Sequence, residues 1–250
     1  MCWQDGPLLG FDTETTGVDP YRDRIVSAAL VHRDARGTRA RTWLLDPGVP
    51  VPDAATAVHG ITTDQARSGG RAPREALDEI AGTLAAALAS GVPVVAFNAT
   101  FDLTILDAEL SRHGLAPLAQ RLGRAVAPVL DPLVLDRALD RPRTGKRRLA
   151  DLCETYGLEP RGSLHTAEVD VVATLDLLAA LAERHPVITA MPPGQLHAWQ
   201  ATAHRSWALE VAARRLAEGL DGAGPDGAWP VASSPRTPGP GLPRAFAATG

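Results

Sequence analysis

Asp12 and Glu14 are separated by a single threonine at the end of a short apolar run, Leu8-Leu9-Gly10-Phe11, and Gly17 closes the stretch with a turn. Such a run reads as the end of a strand. Side chains two apart on a strand share a face, so the two carboxylates stand side by side. Acids this close repel, and one is driven toward protonation unless a cation bridges them. Hard oxygen donors at this spacing suit Mg²⁺ or Mn²⁺. Taken alone, the pair also fits an edge strand with solvated acids, so other acids must be found downstream. Asp102 follows the apolar run 92–97 and the turn Asn98-Ala99-Thr100, where a helical stretch begins. A helix dipole favours a carboxylate there, and open α/β sheets hold ligands at such strand ends. Asp170 lies in the first turns of a helix expected from an N-cap at Thr166 to about residue 184, with His165 in the loop just before it. Five apart on one helix these two would diverge; with the histidine in the loop they converge.

The elements that must position these residues follow from patterning. Residues 7–13, 24–31 and 38–45 read as three strands with short connections, an antiparallel meander. Residues 58–62 follow in a loop. Between 73 and 89 the apolar positions Ala76, Leu77, Ile80, Leu84 and Leu88 recur at helical spacing. The run 92–97 is apolar throughout, as a strand buried on both faces would be. A last strand is expected at 127–130, a helix at 132–139, a basic loop at 141–148 and a short helix at 149–156. Farther on, Leu196, Trp199, Ala203, Trp207 and Val211 form an apolar stripe on a predicted helix, expected to pack on the preceding domain, with a partner helix or self-association as the alternative. Beyond Asp221, 12 of the last 30 residues are Gly or Pro, a composition that reads as a disordered tail. The expected organisation is a domain over 1–185, an amphipathic helical extension over 186–220 and the tail over 221–250.

Composition bounds what such a chain can be. At 250 residues it can bury a sizeable core. With 45% hydrophobic and 22% charged residues it has an ordinary globular balance. The formal net charge of −4 carries no signature of a protein that coats duplexes, although gripping one strand end requires none. Cys2 and Cys153 lack metal spacing, as expected of a reduced cytoplasmic protein. No apolar run approaches membrane-spanning length, and no membrane partner is expected.

The three acidic stretches together, Asp12-Thr13-Glu14-Thr15-Thr16-Gly17, Asn98-Ala99-Thr100-Phe101-Asp102 and His165-Thr166-Ala167-Glu168-Val169-Asp170, resemble the exonuclease motifs of the DEDDh superfamily in order and separation. Within it they are similar to the proofreading exonucleases of bacterial DNA polymerase III, and Val58-His59-Gly60-Ile61 resembles a further element of that group. Phe97 departs from the pattern, which often has histidine there. The resemblance covers roughly residues 7–184. It implies an α/β, ribonuclease H-like fold with a mixed five-stranded sheet flanked by helices. It also implies metal-dependent 3′-to-5′ removal of mononucleotides from a single-stranded DNA end, in proofreading or repair. On this pattern Asp12, Glu14, Asp102 and Asp170 hold two divalent cations, Mg²⁺ or Mn²⁺. His165 is the general base, since histidine titrates near neutral pH. Thr15, His59, Asn98 and Phe101 are candidates to hold the terminal nucleotide. An RNA-trimming exonuclease and a catalytically silent nucleic-acid scaffold are the alternatives. A polymerase partner is one further expectation. A sliding clamp is another, from the faint peptide likeness of Gln195-Leu196-His197-Ala198-Trp199.

Overall fold

The computed structural model describes residues 3–159, 162, 164–220 and 224–233. Strands β1 (Leu8–Thr15), β2 (Ile25–Asp34) and β3 (Gly37–Leu44) form the expected antiparallel meander. Three helices follow: α1 (Asp53–His59), α2 (Thr63–Gly69) and α3 (Pro73–Ala89). The chain then alternates through β4 (Val94–Val95), α4 (Ala99–Arg112), α5 (Leu118–Leu122), β5 (Val129–Leu130), α6 (Pro132–Leu139) and α7 (Leu149–Thr155). It ends its regular structure with α8 (Ala167–Arg184), α9 (Pro186–Thr189) and α10 (Pro193–Ala217). The five strands lie in the order β3-β2-β1-β4-β5, with β4 and β5 parallel to β1, so the sheet is mixed.

Alternation along β1 divides the core into two layers. Leu9 and Phe11 face a cluster that includes Leu77, Ile80 and Leu84 of α3 and Leu103 and Leu106 of α4. Leu8 faces the opposite cluster, with Val171, Leu175 and Leu178 of α8. Gly10 shares that second face, and α8 packs directly on it. A Cβ at Gly10 would lie 2.3 Å from Val171 Cγ1. The next residue on that face is Asp12, so the missing side chain at position 10 lets α8 bring Asp170 alongside.

Three expectations need correction. His59 is the last residue of α1 rather than part of a loop, because Gly60 adopts φ 76° and ends the helix there. On α10 the buried positions are Leu196, Gln200, His204 and Ala208, one residue round from most of the apolar stripe, so the inward face is partly polar. Gln200 tolerates burial because its amide is bonded on both sides: Oε1 accepts from the Asp131 backbone N–H at 2.8 Å and Nε2 donates to the Val129 carbonyl at 3.2 Å. Trp199 and Trp207 are left half-buried.

The third correction concerns the expected tail. Residues 224–233 return to the body: Trp229 is 9% exposed, packs at 4.9 Å and a 41° tilt against the His197 ring, and directs its indole N–H to Asp131 Oδ2 at 3.5 Å. The Ala232 N–H donates to Thr104 Oγ1 at 2.9 Å. One large ring with satisfied neighbours outweighs the Gly/Pro-rich composition. The rest of the expected tail, residues 221–223 and 234–250, lies outside the described residues.

Two measurements test this packing. Gly10→Ala should cost about 2 kcal/mol in urea unfolding, because valine on a helix has few rotamers with which to move aside. Combining it with Val171→Ala should recover part of the loss, and additive costs would mean that the two sites are not in contact. Trp229→Ala should cost about 3 kcal/mol, whereas a loose tail would make the change neutral.

Candidate active site

Asp12 and Glu14 project from β1 toward α8, and the register of β1 with β2 shifts between Glu14 and Thr15. Such irregularities bend a strand where it turns toward a site. Asp170 reaches the same place from the first turn of α8. One carboxylate oxygen from each of Asp12, Glu14 and Asp170 lies within 4.8 Å of the others. Asp102 arrives from the first turn of α4 and is held differently. Its Oδ1 accepts from the Thr13 N–H at 3.0 Å and from Thr13 Oγ1 at 2.6 Å. Thr13 points to the opposite face from its two acidic neighbours, so β1 presents Asp12 and Glu14 on one side and clamps Asp102 with the residue between them.

The backbone around Asp102 is set by Asp131, which stands just before α6. This buried carboxylate accepts from the Asn98 N–H at 3.1 Å and the Ala99 N–H at 2.9 Å, and caps α6 through the Leu133 N–H at 2.9 Å. Asn98 is thereby held in the left-handed region at φ 58°, ψ 45°. Asp131 was not among the residues anticipated from sequence, although an aspartate directly before Pro132 at a helix start is an N-cap signal.

Electrostatics mark the cluster. Burial, then Asp102, Glu14 and Asp170, push Asp12 well above the usual carboxylate range. Burial, with Asp170 and Asp102, pushes Glu14 up to about 8. Burial raises Asp102 to about 7 despite the Thr13 hydrogen bonds. Burial also raises Asp170, against the pull of the His165 backbone N–H, which donates to Asp170 Oδ1 at 3.1 Å. The converging carboxylates of Asp12, Glu14 and Asp170 are hard oxygen donors of the kind a divalent cation fits.

His165 lies on the exposed rim with φ 85°, uncommon for a residue with a side chain, and its amide is tethered to Asp170. His165 lines the same cleft as the four acids, a space of about 460 Å³. Thr15, His59, Asn98, Phe101 and Phe97 line it too. The Thr15 hydroxyl is engaged by the Gly17 carbonyl at 2.6 Å. His59 Nδ1 accepts from the Ile61 N–H at 3.1 Å, while Nε2 is buried without a partner of hydrogen-bonding geometry. Burial pulls the His59 pKa down, opposed in part by the nearby Thr15 backbone. The cleft also takes in Arg137, which the sequence did not single out, and Arg148 from the basic loop.

Residues 9–178 match the exonuclease (RNase_T) family model from before Asp12 to beyond Asp170. The chain belongs to this family. DNA polymerase III subunit epsilon of Treponema pallidum is 30% identical over 181 residues, which are 71% of this chain and 77% of that protein. An epsilon-like protein of Rhodobacter capsulatus is 36% identical over 184 residues, 70% of this chain and 24% of its own length. The PolC-type DNA polymerase III of Lacticaseibacillus paracasei is 30% identical over 172 residues, 68% of this chain, which spans only 11% of that polymerase. Exonuclease I of E. coli in complex with a dA16 oligonucleotide superposes with a TM-score of 0.64 at 21% identity, over 80% of this chain and 44% of that one. At that identity the likeness is one of fold, the ribonuclease H-like exonuclease arrangement with its mixed five-stranded sheet. The exonuclease match ends within α8, so α9 and α10 stand outside it. No helix among the described residues is long and apolar enough to cross a membrane.

The raised acids predict how stability depends on pH. A carboxylate whose pKa is higher folded than unfolded adds stability that is complete below its unfolded value and is lost as pH rises through its folded one. For Glu14 that window runs from its ordinary 4.5 to about 8. In EDTA, Glu14→Gln should therefore gain thermal stability relative to wild type on going from about pH 5 to about pH 8. Mg²⁺ or Mn²⁺ should raise the wild-type Tm more at the higher pH, where the acids must otherwise share a site as anions. Parallel melting profiles for the two proteins in EDTA would mean that Glu14 is not strained by its neighbours.

Proposed function

We propose that this chain hydrolyses the terminal phosphodiester at the 3′ end of single-stranded DNA, releasing 5′-mononucleotides, in proofreading or DNA repair. The observation that carries this reading is the convergence of Asp12, Glu14 and Asp170 within 4.8 Å, with Asp102 and His165 in the same cleft. The choice of DNA draws on the epsilon subunit among the relatives and on exonuclease I with its bound oligonucleotide. The epsilon kinship also supports a polymerase partner. It lends nothing to a clamp-binding peptide at 195–199, where Leu196 is buried and His197 Nδ1 accepts from the Val129 N–H at 3.1 Å. Localisation in the cytoplasm accords with a replication or repair role.

The residues divide the work as follows. Asp12, Glu14, Asp102 and Asp170 would hold two divalent cations, Mg²⁺ or Mn²⁺, whose chemistry is Lewis-acid activation of the scissile phosphate. Thr15, His59, Asn98 and Phe101 flank the terminal nucleotide, and His59 Nε2, which has no hydrogen-bond partner among the described residues, is available to a base or sugar edge. His165 on the rim removes a proton from the attacking water. The water oxygen bonds to phosphorus, the bond from phosphorus to the 3′ oxygen breaks, and that oxygen leaves as the new strand end, protonated from solvent. The His165 amide tethered to Asp170 keeps the base next to the acids it serves.

End-labelled single-stranded DNA and RNA, digested with Mg²⁺, Mn²⁺ or EDTA, test the reading. DNA should shorten from its 3′ end only with the cations present, and preferential cleavage of RNA would reassign the substrate. Asp12→Ala or Asp102→Ala should abolish cleavage. His165→Ala should lower turnover by on the order of 10²–10⁴-fold while calorimetric cation binding persists. Wild-type turnover in His165→Ala would reduce the histidine to a loop residue, and an active Asp12→Ala would remove the metal mechanism.

A further inference from the structure

Outside the segment that matches the family, α10 packs over α6 and β5. Together with the basic loop at 141–148 it walls a second groove of about 850 Å³, larger than the cleft that holds the acids. Six cations line it, Arg137, Arg141, Lys146, Arg147, Arg148 and Arg214, against one carboxylate, Glu210. In a chain of net charge −4, that is a local concentration of positive charge. Two of the six are engaged. Arg141 pairs with Glu210 at 2.8 Å, and Arg147 pairs with the fully buried Asp136. The side chains of Arg137, Lys146, Arg148 and Arg214 make no hydrogen bond or ion pair among the described residues. Arg137 instead lies over the Trp207 ring at 4.0 Å. Arg148 Nε is buried without a partner. Trp199 and Trp207 add two half-exposed aromatic surfaces.

Arg137 and Arg148 line both this groove and the cleft of the four acids, so the two spaces adjoin. Lys146, Arg148 and Arg214, whose side chains have no partner among the described residues, share the groove with the indoles of Trp199 and Trp207. The ligand of matching chemistry carries one anion per repeat and one flat ring per repeat. Cations that follow a phosphate backbone and aromatics that stack bases, without reading sequence, are what single-strand binding requires. We propose that the groove between α10 and the loop at 141–148 holds the nucleotides upstream of the scissile bond in a single strand. Phosphates would lie on Lys146, Arg148 and Arg214, and bases against Trp199 and Trp207. This rests on the exonuclease reading only in placing the 3′ end of that strand among the acids. The α10 extension then serves to retain a long substrate between successive cleavages.

The test uses the full chain and 5′-fluorescein oligothymidylates of three and twenty nucleotides. Binding is followed by anisotropy in EDTA as salt is varied, and cleavage is followed separately with Mg²⁺. The wild type should bind the 20-mer more tightly than the 3-mer. In Lys146→Ala/Arg214→Ala that advantage should fall about tenfold. Its log Kd against log salt slope should shrink by about 1.4, two contacts at roughly 0.7 each for a single strand. The ratio of kcat/KM for the long over the short substrate should fall in step. Arg214→Glu alone, on the exposed side of α10, should move all three readouts in the same direction. Unchanged 20-mer affinity and salt slope in both variants would overturn the proposal. So would poly-glutamate binding the wild type as tightly as the 20-mer and losing that binding in the same variants, since the groove would then suit an acidic protein segment. Absence of cleavage of either oligonucleotide by the wild type would count against the exonuclease reading alone, because the binding measurements contain no Mg²⁺.

Discussion

Repulsion among Asp12, Glu14, Asp102 and Asp170 is the constraint around which the molecule is built. Burial in a partly dry cleft raises the pKa of all four carboxylates, repulsion from the others adds to it at Asp12 and Glu14, and each must be held by something stronger than its preference to move away. Two are held by alternation along β1, where the pleat sends Asp12 and Glu14 to one face while Thr13 grips Asp102 with two hydrogen bonds. Asp170 is held by α8, whose close approach Gly10 permits, and by the amide of His165. A flexible arrangement of the same residues would relax into solvent and lose the concentration of charge that recruits a cation.

The second layer of support converges on Asp131. Its buried carboxylate joins the loop before α4, the start of α6 and the indole of Trp229, while its backbone N–H donates to Gln200 on α10. Burial raises the Asp131 pKa against the amide hydrogen bonds of Ala99 and Asn98 that favour its charged form. The position of Asp102 is thus tied to elements that lie beyond the family segment, and the C-terminal part of the chain is a structural member of the site. This connection also explains why α10 can carry a polar inward face. Gln200 and His204 face partners that fit them, with His204 Nε2 donating to the Asp226 carbonyl at 2.9 Å.

Much of this was legible in one dimension. The limits of α3 and α6 coincide with those expected, in α3 from apolar positions at helical spacing. The helix starts at Ala167, directly after the expected N-cap Thr166, although the Thr166 side chain makes no capping bond, and the three strands of the meander lie where they were expected. The acids announce themselves because two carboxylates at strand spacing have few reasons to coexist. These features are local, set by the pleat, the helical repeat and the charge of near neighbours, and so the amino-acid sequence by itself determined the element types, the acidic cluster and its kinship.

Only the tertiary structure decided the rest, because the deciding partners are distant in the chain. The run at 92–97 contributes just Val94 and Val95 to the sheet, a length set by its neighbours β1 and β5. The inward face of α10 is offset from its apolar stripe because hydropathy counts avoidance of water, and cannot count a hydrogen bond offered by Asp131 some 69 residues away. Trp229 sits in a Gly/Pro-rich stretch whose composition argues against order, yet a pocket assembled from α10 and the strand ends accepts its ring. The groove that joins a basic loop to two tryptophans exists only when α10 folds over α6, and charge complementarity across such a gap is a property of space.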